Sequence, residues 1–186
     1  MESARPRASV FIATSVDGFI ARADGALDWL DRANATVPAG EDCGYAAFIA
    51  DVDVLVLGRK TFDTARGFPE WPYGVRRVVV WSRGGVDVPE ALRDRVSASS
   101  EAPAAMLARL GREGLRHAYV DGGEAVRAFL AAGVIDAITV TLIPVLLGAG
   151  RPLFGALPKD VPLELVASRS WDFGFAQLTY AVGAAR

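Results

Sequence analysis

The sequence predicts an α/β fold with a mostly parallel central sheet that ends in an antiparallel hairpin. Short apolar runs alternate with segments of helical length through most of the chain, an order typical of parallel sheets. The run "RRVVVWS" at 76–82 has the continuous apolar core expected of a strand that is buried on both faces. Two further strand-like runs close the chain within 163–182. We expect a single domain over residues 1–186.

The first part of the chain is predicted to contain two strands and one short helix. The apolar, β-branched run 8–15 predicts the first strand, and two Asp-Gly pairs within 16–30 predict turns. A loop follows at 35–42. Apolar residues at helical spacing within 42–51 predict a short helix that begins near its first aspartate, and 52–58 is predicted as the next strand.

The middle of the chain continues the alternation. Residues 59–65 predict one or two helical turns, 68–74 a loop rich in proline and aromatic residues, and 76–82 a buried strand. The segment 99–114 predicts a helix with a serine cap and a glycine stop. A strand over 115–121 then runs into two glycines.

The last part of the chain supplies the remaining elements. Residues 124–133 predict a helix that Gly133 closes, and 136–148 predict a strand that Pro144 ends or places at an edge. The final segment 163–182 predicts a hairpin that turns near 172–174.

Composition excludes several classes of function. The chain has 52% apolar residues and a formal net charge of −2, so we expect neither disorder nor binding to nucleic acid or an anionic membrane. The N-terminal segment carries no apolar run of signal-peptide length, and no segment is long enough to span a membrane. The single cysteine excludes an intramolecular disulfide, and a cytoplasmic location is expected by elimination.

Two adjacent glycines, Gly122 and Gly123, stand where a predicted strand passes directly into a predicted helix. Free backbone N–H groups and the helix dipole favour a phosphate at such a place, and glycine lets a ligand approach the backbone. A tight turn with no ligand is the alternative.

Two other predicted strands also end in groups that bind anions. The stretch "LGRKTF" at 57–62 places two cations and a hydroxyl after a glycine, and "WSR" at 81–83 ends in a serine and an arginine. The carboxyl ends of parallel strands form the ligand-binding edge of an open sheet, so the three strand ends together predict a site for a polyanion.

These motifs give the chain a resemblance to the dihydrofolate reductase superfamily, in the branch similar to the reductase domain of the riboflavin-biosynthesis deaminase-reductase. The likeness covers nearly the whole chain. It implies a dihydrofolate-reductase-like three-layer sandwich, NADPH as hydride donor, a small heterocyclic substrate, a homodimer, and activity of the 5-amino-6-(5-phosphoribosylamino)uracil reductase type. The motifs that carry it are "VDGFIA", "GRKTF", "VVVWSR", "DGGEAVRAFL" and "ITVTLIPVLLGAGRPLF".

The resemblance also implies a set of cofactor-binding residues. They follow the first strand and the three strand ends described above: Ala13, Asp17, Gly18, Ile20, Gly58, Arg59, Lys60, Thr61, Ser82, Arg83, Asp121, Gly122, Gly123, Glu124 and Ala125.

The substrate side rests on fewer positions. The resemblance implies that Asp42 promotes protonation of the substrate and that Thr141 hydrogen-bonds the carboxylate of Asp42. We expect the Asp42 carboxylate to be partly buried, with a raised pKa, and its alternative role is a helix cap. Asp17 is a rival catalytic acid, or else part of an Asp-Gly turn. The substrate-binding candidates are Trp29, Tyr45, Phe48 and Arg76.

Departures from the family pattern leave the substrate open. The zinc signature of the deaminase is absent, and Asp121 replaces the apolar residue that precedes the glycines in folate reductases. His117 and Cys43 have no metal-ligand spacing and are predicted to be structural. A reductase is the first hypothesis, a non-catalytic NADPH-binding module or sensor is the alternative, and a purely structural protein is the third.

Overall fold

A computed structural model describes residues 5–183 of the chain. Residues 1–4, part of the segment considered for a targeting signal, and residues 184–186 lie outside the described residues. None of the helices between residues 5 and 183 is long and apolar enough to cross a membrane. The strands are β1 (Arg7–Ser15), β2 (Phe19–Ala21), β3 (Val54–Gly58), β4 (Arg77–Trp81), β5 (Val96–Ser99), β6 (His117–Asp121), β7 (Ala137–Ile143), β8 (Arg151–Pro152), β9 (Leu163–Ser170) and β10 (Ala176–Val182), and the α-helices are α1 (Asp28–Asn34), α2 (Tyr45–Ala50), α3 (Arg59–Ala65), α4 (Pro103–Arg112) and α5 (Gly123–Ala131).

Eight of these strands form one sheet in the order β5-β4-β3-β6-β1-β7-β10-β9. The pairs from β5 to β7 are parallel, whereas β10 runs antiparallel to both β7 and β9. The predicted α/β fold with an antiparallel C-terminal hairpin is therefore confirmed. Its parallel register pairs Gly58 with Trp81 and Leu57 with Asp121, which brings the polar ends of three strands to one edge of the sheet.

The core lies on both faces of the sheet. Strand β3 is buried throughout, and alternate side chains point to opposite faces. Val54 and Val56 belong to the cluster that contains the apolar faces of α4 and α5. Leu55 and Leu57 belong to the opposite cluster, which contains Phe62 of α3 and the apolar residues of α2. The three layers are thus helices, sheet and helices.

Several elements differ from the predictions. The segment predicted as turns at 16–30 contains β2, which pairs with β8, and the start of α1. The predicted helix 42–51 is shorter, since α2 covers Tyr45–Ala50 only. Strand β5 was not predicted, because only Val96 of its four residues is buried.

The predicted serine cap of the fourth helix is wrong. Helix α4 begins at Pro103, and its N-cap, Ala102, makes no side-chain capping bond. Proline fits the first helical position, because the N–H that it lacks has no partner within the helix there. The glycine stop is confirmed by Gly114, whose φ is +86° after the last helical residues.

Candidate functional site

A cleft of about 580 Å³ opens at the edge of the sheet where β3 and β6 end. We call it the basic cleft, because four cationic residues line it. Its wall combines strand ends, the turn before α5, the loop after β2 and residues 150–152. The charged and glycine residues in this wall are Gly25, Gly58, Arg59, Lys60, Asp121, Gly122, Gly123, Glu124, Arg127, Gly150 and Arg151.

The glycine pair at the start of α5 is required by packing. Gly122 has φ +95° and ψ 134°, a conformation that side chains strongly disfavour, and a Cβ on it would collide with Oγ1 of Thr61. A Cβ on Gly123 would lie 2.8 Å from the carbonyl oxygen of Pro152 and 2.9 Å from Nη1 of Arg127. The turn is therefore tightly enclosed and also forms part of the cleft wall.

The four cations of the basic cleft differ in their partners. Arg59 pairs with Asp63 at 2.9 Å and also donates to the carbonyl of Gly85, whereas Lys60 pairs with Glu124 at 2.9 Å. These bonds hold both predicted cations against acidic neighbours.

Arg127 and Arg151 line the same cleft and were missed by the sequence analysis. Their bonds are to backbone carbonyls, from Arg127 Nη1 to Pro152 at 2.8 Å and from Arg151 Nε to Ala23 at 3.4 Å. Within residues 5–183, neither forms an ion pair. Arg127 lies one helical turn after Gly123 on the same face of α5, a spacing that could have revealed it. Arg151 lies in the two-residue strand β8 and had no such signal.

The basic cleft brings together most of the predicted cofactor residues, namely Ala13, Ile20, Gly58, Arg59, Lys60, Thr61, Asp121, Gly122, Gly123 and Glu124. Five others do not line it. Ala125 is fully buried beneath Gly58, and Ser82 and Arg83 follow β4 outside the cleft. Asp17 and Gly18 lie in the turn between β1 and β2.

Asp17 holds two loops together. Its carboxylate accepts hydrogen bonds from Ser15 Oγ at 2.6 Å, from the backbone N–H of Leu147 at 3.1 Å and from that of Gly148 at 2.7 Å. These bonds, led by the one from Ser15, lower the pKa of Asp17. The loop that it fixes leads into Gly150 and Arg151 of the basic cleft, so Asp17 positions that wall.

The surroundings of Asp121 raise its pKa, whereas those of Asp17 lower it. Asp121 closes β6 in the cleft wall, and its Oδ1 accepts one hydrogen bond, from the backbone N–H of Gly122 at 2.8 Å. Burial raises its pKa to about 6, against which this single bond acts weakly. Tyr73 and Tyr119 line the same cleft, and the charge of Asp121 raises the pKa of both phenols further above the level set by burial.

A second cavity of about 540 Å³ adjoins the basic cleft, and we call it the acidic cavity because its charged lining residues are Glu41 and Asp42. Phe11, Ala13 and Leu30 line both spaces, so the two share a wall. The other residues around the acidic cavity are mostly apolar or aromatic, and they include Val37, Pro38, Cys43, Tyr45, Thr141, Ile143 and Phe175.

The expected burial and raised pKa of Asp42 are wrong. Its carboxylate is exposed, and its two oxygens accept backbone N–H groups of Gly44 and Ala46, each at 2.8 Å. These bonds lower its pKa, as expected for a carboxylate at the start of a helix. Asp42 thus lines the cavity and, from a position before the N-cap Gly44, caps the start of α2 through its side chain.

The expected bond between Thr141 and Asp42 is also absent from the described residues. Thr141 Oγ1 instead accepts a hydrogen bond from Nε2 of Gln177 at 2.9 Å, and Nε2 also donates to the carbonyl of Cys43 at 2.9 Å. Gln177 therefore links β7 to the segment before α2. The sequence analysis did not identify it.

The substrate-binding candidates are divided by the structure. Tyr45 lines the acidic cavity. Phe48 stacks on Phe11 with 4.8 Å between ring centroids and so supports the shared wall from behind. Trp29 is 3% exposed and packs with Ile143 and Phe175 next to the cavity. Arg76 lines neither space.

His117 and Cys43 have surroundings that fit the predicted structural roles. His117 Nε2 lies 2.9 Å from Ser9 Oγ and Nδ1 lies 3.2 Å from the carbonyl of Asp51, while burial lowers its pKa. Burial raises the pKa of the Cys43 thiol, which lowers its reactivity.

Comparison with known proteins gives a consistent family. The model of the RibD C-terminal domain matches residues 6–176. The uncharacterized protein YwjB of Bacillus subtilis is 36% identical over 92% of this chain and 95% of its own length. A crystal structure from Shewanella sp. PV-4, of a protein assigned provisionally to riboflavin biosynthesis, is 36% identical, with a TM-score of 0.88 over 96% of this chain and 99% of that one.

A more distant structure defines the fold. Dihydrofolate reductase from Enterococcus faecalis, solved with NADP(H), has a TM-score of 0.63 at 16% identity and covers 99% of both chains. At that identity the likeness concerns the fold alone, which is that of dihydrofolate reductase. By its family match and its relatives, the chain belongs to the RibD C-terminal domain family, whose members are of reductase type.

Proposed function

We propose that the protein is an NADPH-dependent reductase that transfers hydride to a C=N or C=O carbon of a small heterocycle. One observation supports this proposal most directly. A basic cleft suited to phosphates and an acidic, aromatic cavity suited to a ring share a wall at Phe11, Ala13 and Leu30. A cofactor in the first and a substrate in the second would meet at that wall.

The basic cleft fits a dinucleotide phosphate. The N-terminus of α5 contributes backbone N–H groups and a favourable dipole, and the enclosed glycine turn lets a ligand approach the backbone. Arg127 and Arg151 add two cations without carboxylate partners within ion-pair distance in the described part of the chain. When bound, NADPH would supply the hydride.

We propose that Asp121, rather than Asp42 or Asp17, holds the proton for the reaction. Its pKa of about 6 lets it carry a proton near neutral pH, whereas the other two carboxylates have lowered pKa values. Tyr45 lines the acidic cavity, and its phenol pKa is raised by burial first and by the charge of Asp121 second.

The first test is binding of NADPH and NADH, followed by NADPH oxidation with a panel of pterins, pyrimidines and related heterocycles. Tighter binding of NADPH together with substrate-dependent oxidation supports the reductase. Binding without oxidation by any compound supports the non-catalytic module or sensor. The absence of nucleotide binding contradicts both.

We also propose a homodimer, as the family resemblance implies. Strand β9 lies at the edge of the sheet, and its side chains Leu163, Leu165 and Val166 are 43%, 55% and 64% exposed. The apolar segment 140–157 is compatible in sequence with an interface or with core, and its Val140 and Ile143 belong to the core. Sedimentation at micromolar concentration tests the dimer, and a monomeric mass contradicts it.

A further inference from the structure

The acidic cavity lacks the residues that bind a phosphate. Among the described residues that line it, none is lysine or arginine, and the charged ones are the carboxylates of Glu41 and Asp42. Its size suits a small heterocycle, and Phe11, Tyr45 and Phe175 provide aromatic walls.

Both carboxylates remain ionised at neutral pH. Glu41 accepts hydrogen bonds from Trp171 Nε1 at 2.9 Å and from the backbone N–H of Cys43 at 2.7 Å, and these lower its pKa. The backbone bonds from Gly44 and Ala46 lower the pKa of Asp42 in the same way. An anion that enters the cavity therefore meets two negative charges.

Nearby cations do not neutralise both negative charges of the acidic cavity. Nη2 of Arg169 lies 3.1 Å from Oε2 of Glu41, and its Cζ lies 4.3 Å from the ring centroid of Trp171. Arg169 therefore already interacts with both side chains. It cancels one of the two negative charges, and the other remains. Arg76 does not line the cavity, and its charge only partly opposes the rise in the pKa of Tyr45 that burial and Asp121 cause.

The basic cleft shows how the same chain provides for phosphate. There, Arg59, Lys60, Arg127 and Arg151 line one space together with the N-terminus of α5. The cationic residues thus lie on one side of the shared wall, and the carboxylate whose charge Arg169 does not cancel lies on the other. Like charges that face each other reduce affinity and exclude the wrong ligand.

We propose that the substrate of this protein is a neutral or cationic heterocycle that carries no phosphate group. This proposal rests on the reductase function proposed above and narrows its substrate class. It separates the protein from the phosphoribosyl reductase activity that the family resemblance implies.

The test uses the full chain saturated with NADPH and pairs of compounds that differ only in a phosphate. The pairs are 5-amino-6-(ribosylamino)uracil with its 5′-phosphate, and uridine with uridine 5′-monophosphate. Affinities come from calorimetry and turnover from NADPH oxidation. We expect the phosphate-free member to bind at least about tenfold more tightly, because its partner brings a dianion to an acidic cavity.

Two variants identify the cause of the preference. Asp42→Asn removes the unbalanced charge and should narrow the ratio of affinities several-fold. Asp160→Asn makes the same change of net charge at an exposed position outside both cavities and should leave the ratio unchanged. Thermal melts of both variants confirm folding before the comparison.

The outcomes separate this proposal from the reductase proposal. If the phosphorylated member of a pair binds more tightly, the proposal of a phosphate-free substrate is overturned while the reductase proposal stands. If Arg76→Gln then loses the preference for the phosphorylated member, Arg76 is the residue that binds the phosphate. With NADPH bound, failure of every compound to bind also overturns the proposal of a phosphate-free substrate, because the cavity would then not accept heterocycles. Failure of NADPH itself to bind overturns the reductase and this inference with it.

Discussion

Substitution of Gly122 by alanine tests the glycine turn that joins β6 to α5. The added Cβ has two costs. The backbone at φ +95° and ψ 134° is unfavourable for any side chain, which costs roughly 1–3 kcal/mol. The Cβ also collides with Oγ1 of Thr61, and such overpacking costs roughly 1–3 kcal/mol. The free energy of unfolding should therefore fall by about 2–6 kcal/mol, a large part of the 5–15 kcal/mol typical of a domain.

Urea denaturation of matched glycine variants measures this loss. Gly133 has φ +68° with nothing within 4 Å of an added Cβ, so Gly133→Ala carries the backbone cost alone. Gly84 has neither a positive φ nor a close neighbour, so Gly84→Ala carries neither cost. We expect Gly122→Ala to be the least stable and Gly84→Ala the most stable of the three.

The same variant series tests the role of the turn in binding. If Gly122→Ala unfolds at the same urea concentration as Gly84→Ala, the tight packing between the turn and Thr61 is refuted. If it loses stability but keeps full NADPH affinity, the turn is structural and does not bind phosphate. Loss of both supports the two roles together.

Three further predictions follow from the charged groups. Arg151→Gln should weaken NADPH binding about tenfold or more by removing a charge-assisted bond, whereas Arg112→Gln at an exposed position of α4 should not. Equal affinities of the two variants by calorimetry would contradict the assignment. Because burial raises the folded-state pKa of Asp121 from 3.8 to about 6, the contribution of Asp121 to stability should decline between about pH 4 and 6 and then level off. Asp121→Asn should remove this contribution, so the variant should gain at most about 3 kcal/mol over the wild type at pH 7.5. Parallel pH profiles of urea unfolding for the two proteins would refute this. Asp42→Ala should cost about 1 kcal/mol of stability as a lost helix cap, and an unchanged thermal midpoint would argue against capping.

The elements that the sequence predicted well are those with strong local patterns. Strand β3 is a run of buried aliphatic residues, and it was found with a start two residues too early. Helix α3 and the final hairpin matched their predicted ranges, and Gly174 has φ +96° in the hairpin turn as glycine permits. Each of these depends on the order of apolar and turn residues within a short stretch of chain.

The elements that were missed depend on contacts far along the chain. Helix α1 is held by Trp29, which packs against Ile143 and Phe175, more than a hundred residues away. Strand β5 has no alternating apolar pattern and gains its structure by pairing with β4. Arg151 reaches the basic cleft only because β8 pairs with β2. Local sequence patterns do not contain this information.

The three candidate acids show why residue type alone does not determine chemistry. Each is an aspartate beside a turn, yet Asp17 accepts three donors and Asp42 accepts two backbone N–H groups, which stabilise the ionised form. Asp121 accepts one such bond and is partly buried in the cleft wall, which favours the protonated form. The number of hydrogen-bond donors that reach each carboxylate thus distinguishes Asp17, which joins two loops, and Asp42, which caps a helix, from Asp121, which can hold a proton. That number is set by β7, α2 and the glycine turn, so the sequence alone does not indicate which of the three aspartates is the candidate for proton transfer.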